Sequence, residues 1–441
     1  MTAHAYDAVV LGAGPAGEVC AGELADGGLR VAIVERELVG GECSYWGCIP
    51  SKTLVRPGEA VEAARQVPGA REALSSPIDA AAALAWRDFM VSSYDDTGAT
   101  GWLTDKGIDL FRGEARLVAP GVVAVGDDEL HAKDVVLATG SDAFVPPVPG
   151  LRGLEGVWTN REATAMQEVP RHLLVLGGGA VGVELAQAVV RLGGNVTLIE
   201  GAEHVLPREP RALGEAVGAA LAADGVELIL GRLAAGVRRE DGEYVVVFED
   251  GSRRSGDRLL VATGRRPRLP AGVERVEVDA RMRAGDGLWA VGDVAGIWPL
   301  TYVGKYQARV AAANILGGER EADYSAVPRV VFTDPQAAAV GDAEGELTST
   351  VPLAGVPRTA TYTREYADRP GFLTLVSDGE RLTGAYAVGP EAGEWLQQAT
   401  VAIRARVPLD LLRDTIQPFP TFSEAFVEAL AGLAARVPAR A

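Results

Sequence analysis

AVVLGAGPAGEVCAGELADGGLRVAIVE, residues 8–35, is echoed by LLVLGGGAVGVELAQAVVRLGGNVTLIE, residues 173–200. Each stretch is an apolar strand, a glycine turn, a helical run, a Gly-Gly break and a second apolar strand leading into a glutamate. Gly12 precedes Glu35 by the same interval that separates Gly177 from Glu200. A second echo follows each unit, DVVLATGSDAFVPPVPG at 134–150 and DRLLVATGRRPRLP at 257–270, and places Gly140 and Gly264 at matching points. The chain therefore reads as two copies of one dinucleotide-binding design, an α/β fold with two Rossmann-like domains.

The chemistry explains the residue types. Gly12, Gly14 and Gly17 permit a tight turn, close approach of backbone to a pyrophosphate, and close packing of helix on strand. The helix that follows offers its first N–H groups to the phosphates. Glu35, ending the second strand, is suited to ribose hydroxyls, and Gly177, Gly179, Gly182 and Glu200 match the same roles in the second copy. A carboxylate at Glu200 suits a free 2′-hydroxyl and repels a 2′-phosphate, which favours NADH, with Arg208 the nearby cation that would soften the preference.

Between and after the repeats the pattern continues. GVVAVGDDELHAKDVVLATG reads as strands and turns, and GLWAVGDVAG at 287–296 as a strand ending at Gly292-Asp293. YVGKYQARVAAANILGG predicts a helix closed by glycine. Asp293, at a strand end before a helix, is placed to hold another cofactor hydroxyl. From about residue 320 the pattern changes to a separate α+β domain. VPRVVFTDPQAAAVG and ATYTREY alternate like strands, FLTLVSDGERLTGAYAVG is a hairpin with Asp378-Gly379 at its turn, and EWLQQATVAIRAR has helical spacing with Leu396, Ala399 and Ile403 on one face.

Composition sets the outer bounds. A chain of 441 residues with 48% hydrophobic content has material for two to four domains with sizeable cores. The net charge of −18 argues against a nucleic-acid surface and against docking on an anionic membrane. MTAHAYDAVVLGAGPAG has no basic leader or cleavage pattern, and no uncharged apolar stretch is long enough for a bilayer, so a cytoplasmic protein is expected.

Two of the three cysteines fall in GGECSYWGCIPSK, residues 40–52. In a regular helix, positions i and i+5 point about 140° apart, so a bond between Cys43 and Cys48 needs a distorted turn. A strained bond of that kind is easier to reduce. Zinc is the main rival, but C-x4-C needs two further ligands, and the four histidines form no cluster to supply them. A buried, inert pair is the other alternative. Cys20, on the first repeat's helix, reads as packing.

Together these pieces resemble the pyridine nucleotide–disulfide oxidoreductases, the family of dihydrolipoamide dehydrogenase, glutathione reductase and mercuric reductase. The family's redox motif has the form GGTCxNxGCxPxK, and Gly40, Gly41, Cys43, Gly47, Cys48, Pro50 and Lys52 match it. The resemblance implies that residues 1–145 and 266–320 bind FAD, 146–265 bind NAD(P)H, and 321–441 form a homodimer interface acting on a small-molecule substrate. It implies that Cys48 faces the flavin and Cys43 exchanges with substrate. Lys52 resembles the lysine beside the reactive flavin nitrogen, and Glu184 its carboxylate partner. A lysine there stabilises negative charge on reduced flavin, and the carboxylate keeps the buried charge paired.

The match breaks at TIQPFPTFSEAFVEAL. Disulfide reductases of the family carry a histidine before Pro-Thr, where this chain has Phe419 before Pro420-Thr421; Gln417 stands at a second position that is sometimes histidine. Glu424 occupies the place of the histidine's usual partner, and Thr421-Phe-Ser-Glu424 also fits a capping box, the preferred reading here. Tyr45 and Trp46 are larger than residues often found between the cysteines, and read equally as packing. Three functions follow: an FAD enzyme for an unusual disulfide or dithiol; a reductase of a quinone or soft metal ion, although AGLAARVPARA lacks the C-terminal cysteine pair of mercuric reductases; or a flavoprotein sensor without turnover.

Overall fold

The computed structural model describes residues 2–362 and 371–436. Within them the chain forms two compact units, one of residues 1–50, 85–144 and 264–323, the other of 51–84, 145–263 and 324–441. Residues 51–84 thus pack with the second unit, whereas the division read from sequence keeps 1–145 together.

The first unit is built on the first repeat. Strand β1 (Thr2–Leu11) runs into helix α1 (Pro15–Asp26) and returns as strand β2 (Val31–Glu35), parallel to β1. The main path of this eight-stranded sheet runs 283–285, 288–290, 128–137, β1, β2, 109–112, every pair along it parallel except the first, and strands 122–125 and 115–119 branch from 128–137 antiparallel. Its central strands are apolar on both faces because both are covered: one by α1 and the helix 301–315, the other by strands 115–119 and 122–125 and the segment 273–278. The helix Thr301–Ile315 packs beside α1 and ends before Gly317, whose φ of +94° closes it as the sequence predicts.

In the second unit the repeat recurs as strand His172–Leu176, helix Ala180–Arg191 and strand Asn195–Ile199, within a four-stranded parallel sheet. A five-stranded antiparallel sheet follows, ordered 329–331, 336–341, 382–389, 372–377, 347–352. The expected hairpin is present, with Gly379 at φ +90° in its turn. The helix Gln397–Arg404 buries Ala399 and Ile403, and Leu396 precedes it on the same core.

The strand expected at ATYTREY is not formed where it is described. Ala360–Tyr362 close a helix, Pro357–Tyr362, and the remainder of the stretch lies outside the described residues. Pro357 presets the first helical φ, and the Thr359 hydroxyl donates back to Leu353 O at 2.6 Å. Both act through local geometry that residue alternation does not register.

One feature of the second unit governs its packing. Along Ala180–Arg191, residues 184, 187 and 191 share a face, and all three bind the segment 332–334. Glu184 Oε1 accepts Phe332 N–H at 2.9 Å, and Gln187 Oε1 accepts Asp334 N–H at 2.8 Å. Gln187 Nε2 donates to Asp334 O at 2.8 Å, and Arg191 reaches the Asp334 carboxylate at 2.8 Å and that of Asp224 at 2.9 Å.

Candidate active site

The glycine turns are shaped for a dinucleotide. Gly12 has φ +102°, and a Cβ there would lie 2.5 Å from Ala138 O; a Cβ on Gly17 would lie 1.9 Å from Gly12 O. The second copy repeats this geometry at Gly177 and Gly182, against Ala262 O and Gly177 O. Gly14 and Gly179 are the N-cap residues of their helices and bring no side-chain acceptor, so the first-turn amides remain for an anion. Gly140 and Gly264 sit at φ +72° and +117° with open space where a Cβ would be.

Both acids hold the turns from within. Glu35 accepts from Ala13 N–H and Glu37 N–H at 2.8 Å each. Glu200 accepts from Gly178 N–H at 2.6 Å and Ala202 N–H at 2.8 Å. Asp293 accepts the Ser141 hydroxyl at 2.5 Å, and Arg265 donates to the same hydroxyl at 2.7 Å and to Ser141 O at 2.7 Å. Ser141 and Arg265 pass unnoticed in the sequence, because each is an ordinary polar residue after its ATG turn. Arg208 is exposed. The turns, uncapped amides and carboxylates fit FAD in the first unit and a nicotinamide dinucleotide in the second.

The helix expected to be distorted at the cysteines is broken outright. Helix α2 (Gly41–Tyr45) carries Cys43, Trp46 leaves helical geometry at φ −135°, and helix α3 (Cys48–Gln66) starts at Cys48. The break turns the two cysteines toward each other, within hydrogen-bonding reach. The hydrogen bond to Cys48, and then burial, push the Cys43 thiol far above the ordinary range. Two adjacent sulfurs do not both ionise, so the pair carries at most one negative charge. Cys48 Sγ also lies 3.3 Å from Thr301 Oγ1. Beside the pair, Tyr45, Trp46 and Tyr94 form an aromatic cluster with centroids 5.7–6.3 Å apart. Cys20 is fully buried, its thiol pushed up to about 12 by that burial, as a packing residue would be.

Lys52 lies one turn after Cys48 on α3. Its Nζ donates to Glu184 Oε2 at 2.7 Å and to Ser51 Oγ at 3.3 Å, so the lysine and glutamate paired from sequence do meet. Glu184 is 4% exposed, and its two oxygens accept from the Lys52 ammonium and the Phe332 amide. The Phe332 ring lies 4.8 Å from Lys52 Nζ, a cation–π contact that the sequence does not announce.

At the C-terminal segment the capping box is not formed. The Thr421 hydroxyl donates to Pro418 O at 2.7 Å, and Glu424 is itself the N-cap residue of the helix Ala425–Ala434. One glutamate oxygen, Oε2, is buried without a hydrogen-bond partner. Gln417 donates to Gln398 Oε1 at 3.2 Å, and Phe419 is 73% exposed.

Residues 6–312 match the family model described as pyridine nucleotide-disulphide oxidoreductase, and residues 327–430 match the model of its dimerisation domain. Mercuric reductase of Acidithiobacillus ferrooxidans is 35% identical over 445 residues, covering 94% of this chain and 80% of that one. Dihydrolipoyl dehydrogenase of Thermus scotoductus is 35% identical over 452 residues, covering 97% of each. Among solved structures, the Cu(II) complex of the HOCl-induced flavoprotein disulfide reductase RclA from Escherichia coli matches with a TM-score of 0.85 at 28% identity, covering 97% of this chain and 99% of that one. LpdA from Mycobacterium tuberculosis matches with a TM-score of 0.84 at 25% identity, covering 98% and 99%. No helix among the described residues is long and apolar enough to cross a membrane.

Proposed function

This chain belongs to the pyridine nucleotide-disulphide oxidoreductases, FAD-binding enzymes that use NAD(P)H, and from that premise we propose that it passes electrons from NADH through the Cys43/Cys48 pair to a disulfide whose thiols leave without help from a protein acid. The observation that carries this reading is the joined pair of thiols, taken with Phe419 at the sequence position of the family's acid/base histidine. FAD, held by the first glycine turn, Glu35 and Asp293, supplies the two-electron relay between nicotinamide and sulfur. Gly177, Gly179, Gly182 and Glu200 hold the nicotinamide dinucleotide, and the Glu200 carboxylate favours the unphosphorylated one. Lys52, paired with Glu184, stands for negative charge near the ring.

On the protein side the steps are sulfur chemistry. Cys43 passes its proton along the hydrogen bond to Cys48 and, as thiolate, attacks one substrate sulfur and expels the first thiolate, after which Cys48 releases that proton to water. Cys48 then attacks Cys43, closing the Cys43–Cys48 bond and expelling the second. The reduced pair, holding one proton, and one disulfide become an oxidised pair, two thiolates and one proton. Over the cycle, NADH and the disulfide become NAD+, two thiolates and that proton. Phenylalanine moves no proton, so thiols with ordinary pKa near ~8.5 leave slowly. The dimerisation domain makes a homodimer the proposed unit, with the 417–424 segment of one subunit facing Cys43 of the other.

A second reading, reduction of a metal ion such as Cu(II), is favoured by the names of two relatives, the Cu(II) complex of RclA and mercuric reductase. Such an acceptor needs no thiol protonation either. Anaerobic enzyme reduced by NADH or NADPH, then mixed with lipoamide, an aromatic disulfide with acidic thiols, or Cu(II), separates the readings. NADH is expected to give the larger kcat/KM by about tenfold or more, and the aromatic disulfide to outpace lipoamide. Fast lipoamide turnover would refute the proposal, and Cu(II) reduction without disulfide turnover would move it to the second reading.

A further inference from the structure

Thr301 is a residue of the redox pair's surroundings to which the reading above gives no part. It is the first residue of the helix Thr301–Ile315, whose N-cap, Leu300, has no side-chain acceptor. Its hydroxyl lies 3.3 Å from Cys48 Sγ and also within hydrogen-bonding reach of Cys43. Cys48 is in turn the first residue of α3, so the sulfur sits where two helices begin. A hydroxyl donor and the positive ends of helix dipoles both favour a thiolate over a thiol.

We propose that Thr301 is a catalytic residue of this enzyme: its hydroxyl donates to Cys48 and holds the negative charge of the reduced pair on that sulfur, while Cys43 keeps the proton. The proposal rests on the reading of Cys43 and Cys48 as the redox pair. Two electrons and one proton convert the disulfide to one thiol and one thiolate. With no imidazole to take the charge's counterpart, the placement of that single proton falls to groups of this subunit. Thr301 lies 3.3 Å from Cys48 Sγ and is neutral, so it favours the thiolate on that sulfur without itself titrating.

Other ionisable groups stand around the pair. Glu42 and Tyr45 lie on α2, with Glu42 3.5 Å from Arg265; Lys52 lies on α3; Lys305 lies one turn along from Thr301. Asp293 is 4.0 Å from Arg265, and Asp96 and Glu18 act on Tyr45. Burial pushes the Glu18 carboxyl up to about 7, opposed by Lys305, so it titrates in the neutral range. None of these changes when only Thr301 is substituted, and Glu18→Gln identifies any contribution from that carboxyl.

The test is the pH titration of the NADH-reduced holoenzyme, followed by the long-wavelength absorbance of thiolate against flavin and, independently, by the rate of thiol alkylation with iodoacetamide. A hydroxyl that donates to the thiolate lowers the midpoint, so removing it raises the midpoint. Thr301→Val is expected to raise it by about one pH unit, leaving roughly tenfold less thiolate on the rising limb. Thr301→Ser, which keeps the donor, is expected to titrate like wild type, and Thr301→Ala like the valine variant, which guards against misfolding by either one. Valine and alanine variants that titrate with the wild type would overturn the role of Thr301. Wild type in which NADH uncovers no alkylatable thiols would instead overturn the redox pair itself.

Discussion

Cys48→Ser is expected to bind FAD and accept electrons from NADH, yet to lose acceptor turnover by about three orders of magnitude or more. The serine hydroxyl cannot form the Cys43 bond that completes the cycle, and it is not ionised at neutral pH. The long-wavelength absorbance of the reduced enzyme should vanish with it, because the thiolate is proposed to lie on Cys48, with the Cys43 thiol pushed up and protonated. Cys43→Ser is the informative partner: turnover is lost equally, but the absorbance remains. Cys20→Ser, buried among packing residues, should leave both intact. Stopped-flow traces of the three variants check the assignment; absorbance that survives Cys48→Ser and disappears in Cys43→Ser would reverse the two roles.

Phe419→His should act in the opposite direction, adding activity on alkyl disulfides by about 10²-fold, the lower end of what a positioned acid/base contributes. The site is prepared for it. Phe419 is largely exposed, so the smaller ring removes little packing. Glu424 lies five residues on, with Oε2 buried and unpartnered, an acceptor for an imidazole N–H. With an imidazole pKa near ~6.5, the added base is protonated in acid, so the gain should grow as pH rises through that value. Reduction by NADH should not change. Because the segment is proposed to work on the partner's Cys43, the gain requires the dimer. Light scattering that shows a monomer at micromolar concentration, or a dimeric variant with no gain on lipoamide, would contradict the arrangement.

The glycine turns were open to reading because their constraint is local. A chain that must pass 2.5 Å from a carbonyl cannot carry a Cβ, and that requirement is written at Gly12 and again at Gly177. The cysteines were legible for the same reason: the break between α2 and α3 lies within the motif itself. Lys52 and Glu184 needed the family pattern to be paired, being 132 positions apart. Thr301, Ser141 and Phe332 were hidden because their partners come from distant segments, and nothing in a threonine at a helix start marks a cysteine at its side. The capping box failed on a subtler point. Its spacing is present, and Thr421 does cap the short turn Phe422–Glu424, but its hydroxyl donates to Pro418 O and so does not accept from that turn.

The ladder of Glu184, Gln187 and Arg191 against residues 332–334 bears on how such a chain can be cut and recombined in evolution or in the laboratory. The second repeat looks like a transferable module, self-contained from its first strand to its last. Its helix nevertheless keeps three polar side chains turned toward amides and a carboxylate that arrive some seventy residues after the repeat has ended, roughly a further small domain's worth of chain. Grafted alone onto another scaffold, that helix would strip Glu184 of the Phe332 amide, Gln187 of the Asp334 backbone and Arg191 of one of its two carboxylates, leaving only Asp224 for the last two. The natural unit of exchange is therefore the repeat together with the strand pair around Asp334. A chimera that swaps nucleotide preference by transplanting residues 146–265 would have to import, or match, the segment 332–334 as well.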